Sequence, residues 1–466
     1  MAKLVDTPTE ARMLIGVARR DITPPFGIYG PVWGFSTHDG SSIGTHKPLY
    51  ATAMAFKSSA TSKPAIVVGV DLGTTGDLVG LEDEWIRGEV LKQIDIPISN
   101  LMLASSHTHG APWPYRSRTS FPGGEFIEPY LSQLKDAIIQ ACIEATETAE
   151  DAIITFKAGS CDLAKNRNLI DPANLDRYLT GYNPENNHLA DDTIMVGRVC
   201  RKSDDEIIGT IVNYACHPTT LGGENRLISP DFIGGLRELM EANTHGAPCL
   251  FLQGASGDLG PAFQYVADVK VPDRYGAQLG HASMSALLGM YAPGHQLEYV
   301  GPIESGAPLA YWEPRKYEVP TNFVIENVVV GLPSKIWPSV EELEAQLANE
   351  TDPRFRERIL RKKTIASFSQ GKNEIPTQVF VWRFGAAVMI AVSCEIDVRW
   401  QQEIREAFPN NEVVAITDVN YSAIGYIVQE ELCELNLYQA WQPPYGKGSF
   451  TELTKQCKSL IAKTLA

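Results

Sequence analysis

Four apolar runs in this chain end abruptly in an imidazole, an acid or a glycine turn. That repeated ending constrains the fold more than any other feature. Leu101-Met102-Leu103-Ala104 passes through two serines into His107-Thr108-His109-Gly110-Ala111-Pro112, and Ile211-Val212-Asn213-Tyr214-Ala215-Cys216 stops at His217-Pro218. Phe251-Leu252-Gln253 gives way to Gly254-Ala255-Ser256-Gly257-Asp258-Leu259-Gly260-Pro261, and Met389-Ile390-Ala391-Val392-Ser393-Cys394 runs into Glu395. Short apolar runs bounded by turn residues read as buried strands. Loops at strand ends are where a rigid scaffold commonly carries functional groups. The pattern therefore predicts several buried strands that deliver polar side chains at their ends.

Strand-like runs cover 51–56, 65–70, 100–104, 153–158, 207–214, 249–253, 378–383, 387–392 and 413–417. Helical periodicity appears over 82–93, 130–149, 231–243, 276–291 and 451–463, and Ser229-Pro230-Asp231 has the composition of a helix entry. The alternation predicts a mixed α/β fold of layered β-sheets flanked by helices. The stretch 339–371 is rich in Glu, Arg, Lys and Leu with one break at Pro353, which predicts an inserted helical hairpin with solvated faces. The Pro- and Gly-punctuated stretch 292–338 reads as an excursion lining the site. No linker divides the chain, so 1–466 is expected to form a single catalytic domain.

A net charge of −16 argues against a nucleic-acid partner, and no basic block suggests an anionic membrane surface. No run approaches the roughly 18 apolar residues of a membrane span. The first residues lack the apolar core of a secretory leader, so a cytoplasmic protein without stable membrane insertion is expected. The eight cysteines are scattered without a Cys-x-x-Cys pair, which suits reduced, buried thiols and argues against cysteine-ligated zinc.

Residues two apart in extended chain point to the same face, so His107 and His109 are expected to project together into a cleft. With only nine histidines in the chain the pair stands out, and a solvated loop with an incidental pair is the lesser alternative. His217 alone reads as readily as a structural histidine. Glu395 suits a helix cap or a metal ligand. Asp258 suits an Asx-type turn or a carboxylate that orients a histidine. Tyr421, Tyr426 and Tyr438 are by type packing residues. Trp113, Pro114, Tyr115 and Phe121 suit either a pocket wall or a core.

Taken in order, His-x-His, His-Pro, Gly-Asp, strand-Glu and Gly-Tyr resemble the neutral/alkaline (non-lysosomal) ceramidase family of zinc-dependent amidases. Gly16-Val17-Ala18-Arg19-Arg20-Asp21-Ile22-Thr23-Pro24-Pro25 is similar to that family's amino-terminal signature, and Thr45-His46-Lys47-Pro48-Leu49-Tyr50-Ala51 also matches in order. The resemblance implies the family's catalytic-domain fold and one zinc ion per chain, with His107, His217, Glu395 and Tyr426 as its ligands. It implies that His109 faces the substrate as general acid, that Arg167 lies near the scissile group and that Tyr438 touches the carbonyl oxygen. The spacing of twelve between Tyr426 and Tyr438 favours Tyr426 over Tyr421. The reaction so implied is attack of a metal-activated water on an amide or ester carbonyl.

Two departures from the family qualify this. A serine given a nucleophilic role in some ceramidases is replaced here by Gly260, so no acyl-enzyme forms at that position. The chain also ends 28 residues after Tyr438. A carboxy-terminal β-sandwich domain is therefore not expected, and a soluble N-acyl compound is favoured over membrane ceramide. The expected partner is a small-molecule amide or ester, and a homo-oligomer is compatible with the sequence. An amidohydrolase-type barrel also closes a strand with His-x-His, but it requires further His, Lys and Asp residues for which this chain has no convincing set. A non-catalytic metal- or ligand-binding relative is the remaining alternative.

Overall fold

A computed structural model describes residues 4–30, 40–76, 79–420 and 425–466. Its centre is an eight-stranded sheet. In spatial order the strands are Cys249–Gln253, Ile207–Tyr214, Thr193–Arg201, Glu150–Ser160, Thr9–Asp21, Tyr50–Lys57, Ala65–Val70 and Leu101–Ser105. The outermost pair at each edge is parallel and the pairs between are antiparallel. A four-stranded sheet, ordered Phe323–Pro333, Glu374–Phe384, Ala387–Val392 and Val413–Ile416, packs on it, and its last two strands are parallel.

The apolar alternation of both sheets explains the layering. Met54, Phe56, Met102, Ile211 and Leu250 of the large sheet share one buried core with Phe380, Trp382, Met389 and Ile416 of the small one. The outer face of the large sheet is covered by Leu81–Ile94 and Ile127–Glu147 on one half and by Phe232–Ala242 and Lys270–Leu288 on the other. Arg399–Ala407 and Ser449–Leu465 cover the outer face of the small sheet. The order is helices, sheet, sheet, helices. The mostly antiparallel central sheet leaves no place for the barrel alternative.

The large sheet curls until its edges approach each other. At Gly69 an added Cβ would lie 2.6 Å from Leu250 Cδ1 and 2.9 Å from the Phe251 carbonyl oxygen, so only glycine fits this approach. The segment after Val413–Ile416 bridges the two edges. Thr417 N donates to Gln253 O at 2.9 Å, and Asn420 N donates to Leu103 O at 2.9 Å. Since the edge pairs and the last pair of the small sheet are each parallel, their carboxyl ends can gather at one place.

The structure departs from the sequence expectations in two respects. Thr9–Asp21 and Thr193–Arg201 are central strands, though neither reads as one in sequence. Their apolar alternation is broken by charges that find partners, such as Arg12 with Asp151 and Arg19 with Glu241. Most of the stretch after 292 stands away from the candidate site, and only its end, at Lys335, comes near it. It forms His295–Ile303, Leu309–Lys316 and Phe323–Pro333, the first two making an exposed ribbon with Val5–Asp6. Between 339 and 371 lie the helices Val340–Asn349 and Pro353–Ser369, the first closed by a Ser339/Glu342 capping box. Among the described residues no helix is long and apolar enough to cross a membrane.

Candidate metal centre

His107, His217 and Glu395 reach one another from three separate strand ends. His107 Nε2 and His217 Nε2 each lie 3.3 Å from Glu395 Oε2, and all three side chains are buried. His217 Nε2 and Glu395 Oε2 have no hydrogen bond among the described residues. Donor atoms of His107, His109 and His217 lie within 4.8 Å of one another, as do those of His107, Glu395 and Asp418.

The backbone that delivers His107 is not the extended strand expected. Leu101–Ser105 ends two residues earlier, and His107 takes φ = 63° in the left-handed region. The strand edge is closed by Asn420, whose side chain accepts from Leu103 N at 2.9 Å and donates to Leu101 O at 2.7 Å. Thr108 turns away from the cluster and donates to Ser229 O at 2.9 Å. Ser229 Oγ is in turn 2.9 Å from His46 Nδ1, so the Thr45–Ala51 segment braces the loop. The rings of His107 and His109 consequently meet edge-on at 73°, with centroids 5.2 Å apart. Asp231, Asp418 and Asn420 also have positive φ, a concentration of backbone strain typical of functional sites.

The imidazoles of His107 and His217 each face an acceptor oxygen at the other nitrogen. His107 Nδ1 faces Asp418 Oδ2 at 3.3 Å. His217 Nδ1 donates to the Ser256 carbonyl oxygen at 2.6 Å, which places its proton there and leaves the Nε2 lone pair directed at Glu395. A carboxylate or carbonyl behind a histidine is the usual support of a metal-bound imidazole. Tyr426 stacks on His217 with centroids 6.4 Å apart, and its hydroxyl accepts from Arg167 Nη2 at 3.4 Å. Tyr438 meets Tyr426 edge-on at 5.7 Å. Buried Arg167 donates through Nε and Nη2 to Gly257 O, at 3.1 and 2.7 Å.

Asp258 sends Oδ1 to Val398 N at 2.9 Å rather than to a histidine, tying the glycine turn to the strand end that carries Glu395. The carboxylate beside a histidine is Asp418, which the sequence reading did not single out. Its signal was present: Val413–Ile416 runs into Thr417-Asp418 much as the preceding run stops at Glu395. Of the expected aromatic wall, Trp113 stands 6.4 Å from His109. Tyr115 is buried behind it against Thr74, and Phe121 packs on Tyr29 instead. Tyr421 lies outside the described residues.

Charge in the cluster is strongly redistributed. Burial opposes a charged His107, but Glu395 and Asp418 outweigh it and push its pKa up to about 10. Burial, then the charge of Arg167, brings His217 down to about 3. Burial with the charges of His107 and His217 lowers His109 well below the usual imidazole range. Burial opposes ionised Glu395, yet His107 and His217 hold it well below the usual carboxylate range.

The donor set suits a cation. Four ligands placed tetrahedrally at zinc's usual N/O bond lengths of about 2.0–2.1 Å lie roughly 3.3–3.4 Å apart. The two histidine–glutamate separations have that value.

Residues 13–264, more than half of the chain, match the family described as "Neutral/alkaline non-lysosomal ceramidase, N-terminal". The chain belongs to that family. Among curated relatives, the neutral ceramidase of Pseudomonas aeruginosa is 23% identical over 261 residues, covering 53% of this chain and 36% of its own length. The neutral ceramidase of Drosophila pseudoobscura pseudoobscura is 27% identical over 241 residues, covering 49% and 32%. The matches thus span about a third of those ceramidases. In fold, the chain is similar to the crystal structure of Pseudomonas aeruginosa neutral ceramidase, with TM-score 0.68 and 18% identity over 98% of this chain and 75% of that one. It is also similar to a structure titled "Ceramidase complexed with C2", with TM-score 0.67 and 16% identity over 98% and 76%. His107, His109, Arg167 and His217 fall inside the stretch matching the ceramidase family, whereas Glu395, Tyr426 and Tyr438 lie beyond it.

Proposed function

We propose that this chain is a zinc-dependent hydrolase that cleaves the amide, or a related ester, bond of a soluble N-acyl compound. The observation that carries the reading is the convergence of two imidazole Nε2 atoms on one buried carboxylate oxygen, both at 3.3 Å. His107, His217 and Glu395 would hold the zinc, with Tyr426 as fourth ligand. When bound, the metal supplies an activated water and a Lewis acid for the carbonyl oxygen.

The remaining steps belong to the chain itself. Asp418 and the Ser256 carbonyl fix the imidazole orientations, which keeps both Nε2 lone pairs on one point. Arg167, anchored on Gly257 O, holds the Tyr426 hydroxyl and adds positive charge where negative charge develops. The Tyr438 hydroxyl donates to the substrate carbonyl oxygen. His109 takes a proton from the attacking water and delivers it to the leaving nitrogen. Membership of the ceramidase family and the whole-chain likeness in fold support this reading.

The test is hydrolysis of a panel of N-acyl amines, N-acyl amino acids and simple esters before and after chelation. Turnover that disappears with chelator and returns with zinc is expected. Turnover that survives complete metal removal would refute the reading, and metal-replete protein inert across the panel would mark a binding protein.

A further inference from the structure

The helix Pro353–Ser369 carries Arg358, Arg361 and Lys362 at i, i+3 and i+4, hence on one face. That face is turned toward the aromatic rim of the cluster. The Arg361 guanidinium lies 5.4 Å from the centre of the Trp113 ring, which is itself 6.4 Å from His109. Arg358 and Lys362 lie over Trp441 at 5.9 and 5.2 Å, and Trp441 packs edge-on against Tyr438 at 5.4 Å. Lys335 completes the collar by donating to the carbonyl oxygens of Ala440 and Trp441 at 2.8 and 3.2 Å.

Little negative charge answers these cations. Glu357 accepts from Arg361 Nε at 3.2 Å but also from Arg118 at 2.8 Å, so one carboxylate serves two guanidinium groups. Among the described residues no carboxylate pairs with Arg358, Lys362 or Lys335. Burial and the nearby Arg358 lower the Lys362 pKa, and burial with Lys362 brings Lys335 down to about 8. A chain of net charge −16 thus gathers Arg358, Arg361, Lys362 and Lys335 around Trp113 and Trp441, beside its candidate site, with Glu357 as the carboxylate partner of Arg361, shared with Arg118. Such a field concentrates anionic ligands.

We propose that the substrate is an N-acyl amino acid whose free carboxylate is held at the rim by Arg361, which makes Arg361 a specificity-determining residue. Nη1 and Nη2 of Arg361 remain beyond its Nε contact with Glu357, and a guanidinium fork matches a carboxylate in two parallel hydrogen bonds. The amide then lies inward of Trp113, toward His109. Water oxygen joins the acyl carbon, the C–N bond breaks, and the products are a carboxylic acid and an amino acid whose nitrogen has gained the proton. The inference rests on the hydrolase reading but is tested separately from it.

The experiment compares N-hexanoylglycine with N-hexanoylglycinamide, a near-isosteric pair that differs in charge. The zinc-loaded protein is expected to favour the anion in kcat/KM by about 10-fold or more. In Arg361→Gln that preference should shrink by about 10- to 100-fold, the span for losing hydrogen bonds to a charged group. Arg361→Lys should keep part of it. Equal kcat/KM for the two compounds in the wild type, or an unchanged preference in Arg361→Gln, overturns the proposal. If neither compound is hydrolysed, the hydrolase reading is left to the wider panel, and calorimetry on the chelated wild-type protein decides the inference. Binding of the anion at least about 10-fold tighter than the amide supports it, and equal binding overturns it. The wild-type comparison also decides should Arg361→Gln fail to fold.

Discussion

The floor and the rim of the candidate site are built on opposite principles. The floor consists of buried strand ends: His107, His217, Glu395 and Asp418 are all nearly inaccessible, and both imidazoles face an acceptor oxygen at the second nitrogen. The rim is helical and half-buried, with Lys362 lying on Trp441 and Arg361 lying on Trp113 while it shares Glu357 with Arg118. A floor of this kind suits one fixed task, holding a cation against desolvation, since buried charges persist only when paired or metal-bound. A rim of cations on aromatic faces suits recognition, because changes there leave the strand ends in place. Floor substitutions should therefore abolish chemistry outright, whereas rim substitutions should change substrate choice.

The largest effect is expected on the floor. His217→Ala or Glu395→Gln removes a direct donor, and hydrolysis should fall to background with loss of bound zinc, measured by activity and metal analysis in parallel. Should either variant keep both, floor and rim would not differ as described. Arg167→Gln should come next. With one charge-assisted contact to the developing oxyanion gone, kcat should drop about 10²- to 10³-fold while zinc remains. A loss of metal in that variant would move Arg167 from the reaction to the support of the floor. Asp418→Asn should weaken zinc affinity or activity by about 10- to 100-fold, the usual cost of altering a carboxylate behind a metal-bound histidine. A competition titration with a chelating dye reads this directly. The smallest effect belongs to the rim: Trp113→Ala should raise KM by several-fold without altering zinc content, and an equal collapse of kcat would place Trp113 in the floor instead.

Legibility in sequence follows the same division. The strands 65–70, 207–214, 249–253 and 387–392 are readable to the residue because continuous apolar runs stop at turns. Thr9–Asp21 was unreadable because its charges are satisfied by distant partners: Arg19 by Glu241, and Glu10 by Thr155 and Tyr317. No local pattern announces such pairs. The approach of His107, His217 and Glu395 was suggested by a resemblance rather than by spacing, since nothing local fixes the distance between strand ends some 110 to 290 positions apart. The His-x-His period anticipated that His107 and His109 would lie together, but for an incomplete reason. A left-handed turn at His107, not two residues of extended strand, sets the two rings edge-on. Asp418 follows the strand-like run 413–417, and nothing local shows that it will meet His107, roughly 310 positions away. Arg361 was unreadable because a cation on a solvated-looking helix gives no sign in sequence of the aromatic ring it will cover.

The central claim is a buried metal centre in which the two histidines of the pair do different work. Its most direct test is zinc content per chain in the wild type, His107→Ala and His109→Ala, purified identically. The account predicts about one zinc in the wild type and in His109→Ala, and almost none in His107→Ala. Zinc absent from the wild type, or lost equally from both variants, would contradict it.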